Sequence, residues 1–103
     1  MKIIHTALIA AGLATLGQAY AADELAMAKA KNCMACHAID KKLVGPAYKD
    51  VAAKYKDDKA APDALATKIK AGGKGAWGAI PMPPNNVTAD EAKRLAAWVL
   101  SLK

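Results

Sequence analysis

The chain has 103 residues, no Phe, two Trp, three Tyr, two Cys and a formal charge of +6. That length allows one small domain, and so few aromatic side chains leave little to fill a self-sufficient core, so a bulky apolar cofactor would supply missing volume. The basic balance suits an acidic protein surface and argues against nucleic acid, because the lysines are spread from Lys29 to Lys103 and only Arg94 offers a guanidinium fork.

The chain opens with an export signature. Lys2 is a short positive region, and Ile3 to Leu16 is an uncharged stretch of 14 residues rich in Ala, Leu and Ile. Ala19-Tyr20-Ala21 has the small-x-small pattern that signal peptidase reads, which places cleavage after Ala21. A permanent anchor usually needs about 20 apolar residues, more than this run provides. The division is therefore 1–21 as signal and 22–103 as one exported, periplasmic domain of 82 residues carrying +5.

Within that domain Asp23, or its neighbour, is placed to cap a first helix through Leu25, Met27, Ala28 and Ala30 into Asn32. Asn32 tolerates a left-handed backbone just before Cys33. Residues 38 to 46 read as loop. Val44, Ala47, Val51 and Tyr55 recur at helical spacing and predict an apolar face on a second helix from Pro46 or Ala47 to Lys56. A charged linker from Asp57 to Ala61 leads to Pro62, a first-turn residue of a third helix that ends at Ala71 before Gly72 and Gly73. Ala61, Leu65 and Ile69 line its inner face. Residues 72 to 87 hold four glycines and three prolines and read as an irregular loop. Thr88 and Glu91 have capping-box spacing for a last helix, with Leu95, Trp98, Val99 and Leu102 as its buried stripe. No stretch alternates long enough for a sheet, so the expected class is all-α with about four helices.

Cys33-Met34-Ala35-Cys36-His37 carries the sharpest chemistry. Two thiols at this spacing can add to the two vinyl groups of a haem, and the following histidine can then place an imidazole nitrogen under the iron. Three other readings compete. A redox-active pair or plain disulfide would want a strand-rich α/β frame, which the pattern lacks. A structural zinc site needs four ligands, and the exported domain offers two Cys and His37. A histidine following the pair by accident is the third.

An iron held by His37 needs a sixth ligand to favour electron transfer. No second histidine remains after the signal, and the methionines are Met27, Met34 and Met82. Met34 sits inside the attachment loop on the histidine side of the ring, and Met27 suits core packing. Met82 follows His37 by 45 residues, enough chain to cross to the other face, and lies in Ile80-Pro81-Met82-Pro83-Pro84-Asn85. Prolines fix φ there and give a stiff frame for a weak thioether ligand. Asn85 is near enough to donate to the Met82 sulfur. The Pro46 carbonyl could accept from the second nitrogen of His37. Trp77 and Lys68 could each reach a propionate, against the plainer readings of core packing for Trp77 and a solvated lysine for Lys68.

The domain resembles the small bacterial class I cytochromes c, in particular the cytochrome c-551/c-552 group, also called cytochrome c8. The likeness runs from Leu25 to Leu102 through Cys33 to His37, Val44-Gly45-Pro46-Ala47-Tyr48, Gly75-Ala76-Trp77-Gly78, Ile80 to Asn85, and Ala96-Ala97-Trp98-Val99-Leu100. The resemblance implies a compact helical fold around one covalent, low-spin haem c. It implies attachment at Cys33 and Cys36, axial ligation by His37 and Met82, orientation of His37 by Pro46, propionate contacts from Trp77 and Lys68, and tuning of the methionine by Asn85. It also implies a monomeric single-electron carrier rather than an enzyme. Donors in the family include the cytochrome bc1 complex or another c-type cytochrome, and acceptors include cytochrome cd1 nitrite reductase, terminal oxidases or peroxidases. Two departures stand out: Lys68 where some relatives have arginine, and Ala28 where some have phenylalanine. Two further classes stay open at this point: a haem sensor or peroxidase-like enzyme with a displaceable Met82, and a colourless, disulfide-bearing periplasmic binding protein.

Overall fold

The computed structural model describes residues 11–103, with side chains from residue 21 onward. Lys2 and the first part of the apolar stretch lie outside the described residues. Four helices follow in order: α1 (Ala11–Ala30), α2 (Tyr48–Lys54), α3 (Ala61–Ala71) and α4 (Ala89–Leu100), with a single 3-10 turn at Cys33–Ala35. No strand occurs among the described residues; the one β-type pairing is an isolated antiparallel bridge between Gly73 and Met82.

In the uncleaved chain helix α1 begins before Asp23 and runs through Ala21 and Ala22 without interruption, because alanine and leucine dominate this stretch. Its end is as expected: Asn32 takes φ 66°, ψ 16° and redirects the chain into Cys33. Helix α2 is shorter than predicted, since Ala47 is extended (ψ 140°) and Tyr55 has already left helical geometry. Val44 is a correction. The helical spacing put it on the buried face of α2, but the chain turns at Gly45-Pro46 and leaves Val44 exposed. Helix α3 accommodates Pro62 in its first turn and ends at Gly72, φ 79°. Helix α4 begins with both halves of the capping box: Glu91 N–H donates to Thr88 Oγ1 at 3.1 Å, and Thr88 N–H donates to Glu91 Oε1 at 2.9 Å. The Thr88 amide is the main reason the Glu91 carboxyl sits below its ordinary value of 4.5.

Helix α4 is the hub. Leu95, Ala96, Trp98 and Val99 pack with Ala28 of α1, Tyr48 and Val51 of α2, Ala66 of α3 and Val87. Met27, Met34, Leu65, Ile69 and Leu102 pack against this cluster from its edge. Ala28 is fully enclosed, so the small residue at this position is part of a tight α1–α4 contact. Glu24 is buried there as well and is held by Arg94 of α4, which supplies the opposite charge a buried carboxylate requires. Lys31 and Glu91 stand 4.0 Å apart at the same seam. Many of the core residues are alanines, and no large side chain is fully enclosed, so the helices form a shell rather than a filled interior.

Candidate functional site

The attachment segment is held mainly by backbone bonds at short range. The 3-10 turn brings Cys36 N–H and His37 N–H onto Cys33 O, at 3.2 and 3.0 Å. Gly45 N–H then donates to Cys36 O at 2.7 Å, and Tyr48 N–H to Ala38 O at 2.9 Å, so the loop closes back beneath the turn. This fold places Pro46 O 2.8 Å from His37 Nδ1. A carbonyl can only accept, so Nδ1 carries the proton and the lone pair is left on Nε2. A metal-ligating histidine needs this arrangement. Gly45 has to be glycine: a Cβ there would lie 2.5 Å from His37 Cε1. Cys33 and Cys36 are both partly buried. Burial raises the Tyr48 hydroxyl well above its ordinary value.

A second segment faces the same space. Gly73 and Met82 exchange two backbone bonds, Met82 N–H to Gly73 O at 2.7 Å and Gly73 N–H to Met82 O at 3.0 Å. Gly72 makes this approach possible, for a Cβ at that residue would sit 2.6 Å from Met82 O. Asn85 donates its amide to Ile69 O at 2.8 Å and to Pro83 O at 3.3 Å. The expected donation to the Met82 sulfur is therefore not what this amide does; it ties the end of the loop to helix α3. Backbone carbonyls are stronger acceptors than a thioether, which explains the preference.

Between the two segments lies a cavity of about 570 Å³, within the range of roughly 300–1,000 Å³ typical of cofactor sites. Cys36, His37, Pro46, Lys68, Trp77 and Met82 all line it. Met27 and Met34 do not; they pack against the helical core. Cys33 is not among the lining residues; it packs, partly buried, against the helical core. Lys68 lies along Gly73, whose Cβ, if present, would be 3.3 Å from Lys68 Cε. Trp77 is on the rim, 40 % exposed. Lys54 of α2 holds it there, with Nζ 4.6 Å from the indole centre and donating to Ala76 O at 3.2 Å. Sequence reading missed Lys54, because nothing local marks a lysine that reaches 22 residues ahead.

The donor set fits a haem c. The walls are largely apolar, Cys36 lines one side with Cys33 three residues before it in the same turn, an imidazole presents a free Nε2, a thioether comes from the other loop, and lysines along the lining can meet anionic substituents. An all-helical shell around such a cavity defines the class of c-type cytochromes. The comparisons agree. Residues 15–103 match the cytochrome c family model. The chain is 55% identical to cytochrome c-551 of Pseudomonas aeruginosa, over 93% of this chain and 92% of that protein. It is also 55% identical to cytochrome c-552 of Hydrogenobacter thermophilus, over 93% and 96%. The crystal structure of wild-type Nitrosomonas europaea cytochrome c552 superposes with a TM-score of 0.73 at 57% identity, covering 80% of this chain and 99% of that one. The chain belongs to the cytochrome c family and, within it, to the small class I cytochromes of the c-551/c-552 group. It is a periplasmic single-electron carrier, its two cysteines are those of covalent c-type haem attachment, and His/Met ligation is typical of its group. Family members are electron carriers and not catalytic enzymes.

Proposed function

We propose that this carrier holds its haem by thioethers at Cys33 and Cys36, with His37 and Met82 as the axial ligands, in a domain of residues 22–103 released by cleavage after Ala21. The observation that carries this reading is that one cavity is lined by His37, whose Nδ1 is committed to Pro46 O, and by Met82, whose backbone is bonded twice to Gly73. When bound, the haem supplies a one-electron Fe(II)/Fe(III) couple. The protein's own part is to keep both ligand side chains in place in either state. Pro46 fixes the tautomer and plane of His37. Gly73, together with Pro81, Pro83 and Pro84, fixes the backbone on either side of Met82. Lys68 and Trp77 stand where propionates would be met, and Asn85 acts by anchoring the methionine loop.

Exchange of electrons takes place at the cavity mouth. Lys42, Lys68 and Lys74 line it, with Asp50 as its acidic residue, and Leu43, Val44, Trp77 and Ile80 present exposed apolar surface around it. This combination suits an acidic redox partner with an apolar contact patch. In keeping with the family resemblance, the donor is of the cytochrome bc1 or c-type cytochrome kind, and the acceptor is a cytochrome cd1 nitrite reductase, terminal oxidase or peroxidase. The domain works as a monomer.

The test is an optical spectrum with intact mass after expression with haem maturation. Sharp reduced α and β bands, a weak far-red sulfur–Fe(III) band and the mass of residues 22–103 plus one haem are expected. A colourless protein overturns the haem reading. Rapid, tight binding of cyanide or carbon monoxide at neutral pH overturns Met82 as a firm ligand and moves the protein to the sensor or peroxidase class. Electron transfer to an acidic partner is expected to slow as salt rises from low values to about 0.5 M, where screening extends over only a few ångströms; a salt-independent rate removes the steering role of the lysines.

A further inference from the structure

His37 is gripped on more than one side. Pro46 O takes its Nδ1 proton, and Gly45 lies against the ring edge at Cε1. Its face is covered by Tyr48, whose ring stacks on the imidazole with centroids 4.8 Å apart and planes inclined by 22°. Tyr48 is itself fixed. It is 7 % exposed, it meets Trp98 of α4 edge to face at 5.5 Å and 77°, and its amide is bonded to Ala38 O. One side chain therefore touches both the histidine and the hub helix.

We infer that Tyr48 is a positioning residue for His37: its ring, backed by Trp98, sets the angle of the imidazole plane about the axis through Nε2. The inference rests on the reading of His37 as an axial ligand. The hydrogen bond to Pro46 O fixes one atom of the imidazole, but a single such bond is soft to sideways displacement and leaves the ring play about the axis through Nε2. That swing carries the ring face toward or away from its neighbour, so a flat surface against the face opposes it, which Tyr48 supplies and Gly45 cannot. Stacked aromatic pairs attract beyond what area burial gives, enough to favour one ring angle several-fold. The plane of an axial imidazole governs how unpaired spin is distributed over the four haem ring methyls in the ferric state, so the angle has a direct spectroscopic signature.

The experiment compares Tyr48→Phe and Tyr48→Leu in the haem-loaded protein, reading the paramagnetically shifted ring-methyl resonances by proton NMR and the midpoint potential. Tyr48→Phe keeps the stacked ring, and its methyl pattern should match that of the parent. Tyr48→Leu removes the stack, and the spread and order of the four methyl shifts should change while helix content and the far-red band persist. A Leu variant with the parental methyl pattern and potential but a lower melting temperature would show Tyr48 to be core filling only, and would overturn the inference. A Phe variant as altered as the Leu variant would assign the effect to the hydroxyl and overturn the stacking mechanism. If the Leu variant does not fold, the parent protein decides: nuclear Overhauser contacts between the Tyr48 ring and the His37 ring protons in the reduced state are expected, and their absence overturns the inference. Failure of the ligation reading looks different, since the parent itself would then lack haem or a His/Met spectrum.

Discussion

The two walls of the haem cavity are built by different means. The His37 wall is joined to the helical core: Tyr48 and Trp98 are buried, the loop from 38 to 46 is bonded back to the attachment turn through Gly45 N–H on Cys36 O, and α2 is bonded to the start of the loop through Tyr48 N–H on Ala38 O. The Met82 wall meets the core at the end of its loop, through buried Val87 and through the Asn85 bond to Ile69 O of α3. Trp77 and Ile80 are exposed, and the segment is held by two bonds to Gly73, the Asn85 amide and the Lys54 contacts. One ligand is therefore placed by packing and the other by backbone constraint. Local opening tracks the density of buried contacts, so the methionine side should be the first to yield under stress and the histidine side the last.

Substitutions can break this asymmetry in graded steps. The largest effect is expected from Met82→Ala. It should abolish the far-red band, lower the midpoint potential and open the iron to cyanide, while circular dichroism shows the helices unchanged. Next is Gly72→Ala. It combines a positive φ with a Cβ 2.6 Å from Met82 O, and should cost about 2–4 kcal/mol in denaturant unfolding while weakening the methionine signature first. Gly45→Ala tests the other wall. Its Cβ would be 2.5 Å from the His37 ring, and a cost of about 1–3 kcal/mol is expected with methionine ligation retained. If Gly45→Ala loses the far-red band before Gly72→Ala does under denaturant titration, the asymmetry is refuted.

The smallest effects belong to the cap that ends the methionine loop. Thr88→Ala should cost about 1 kcal/mol. Glu91 has a depressed folded-state pKa, chiefly through the Thr88 amide. The stabilisation is present above the ordinary carboxylate value and is lost as pH falls through the lower folded value. Glu91→Gln should therefore flatten this part of the acid limb of the stability curve and leave neutral-pH ligation untouched.

How much of this was legible in the sequence follows the range of the interactions. The capping box at Thr88 and the left-handed Asn32 are features of three or four consecutive residues, and the Pro46 carbonyl is nine residues from His37, so local pattern was enough to point to them. Val44 was misplaced because a helical spacing was carried across Gly45-Pro46, where the backbone turns. Asn85 was assigned to the methionine sulfur, a neighbour three residues away, although the Ile69 carbonyl is 16 residues away in sequence and accepts its amide at 2.8 Å. Lys54 over Trp77 and Tyr48 against His37 are contacts of the folded chain, and no spacing rule points to either.

Proton NMR of the reduced, diamagnetic protein with methyl-labelled methionine tests the central claim most directly. A thioether methyl sitting over the haem face is shifted far upfield by the ring current. The account predicts one such signal, assigned to Met82, with Met27 and Met34 at ordinary positions. An upfield signal from Met27 or Met34, or none at all, would contradict it.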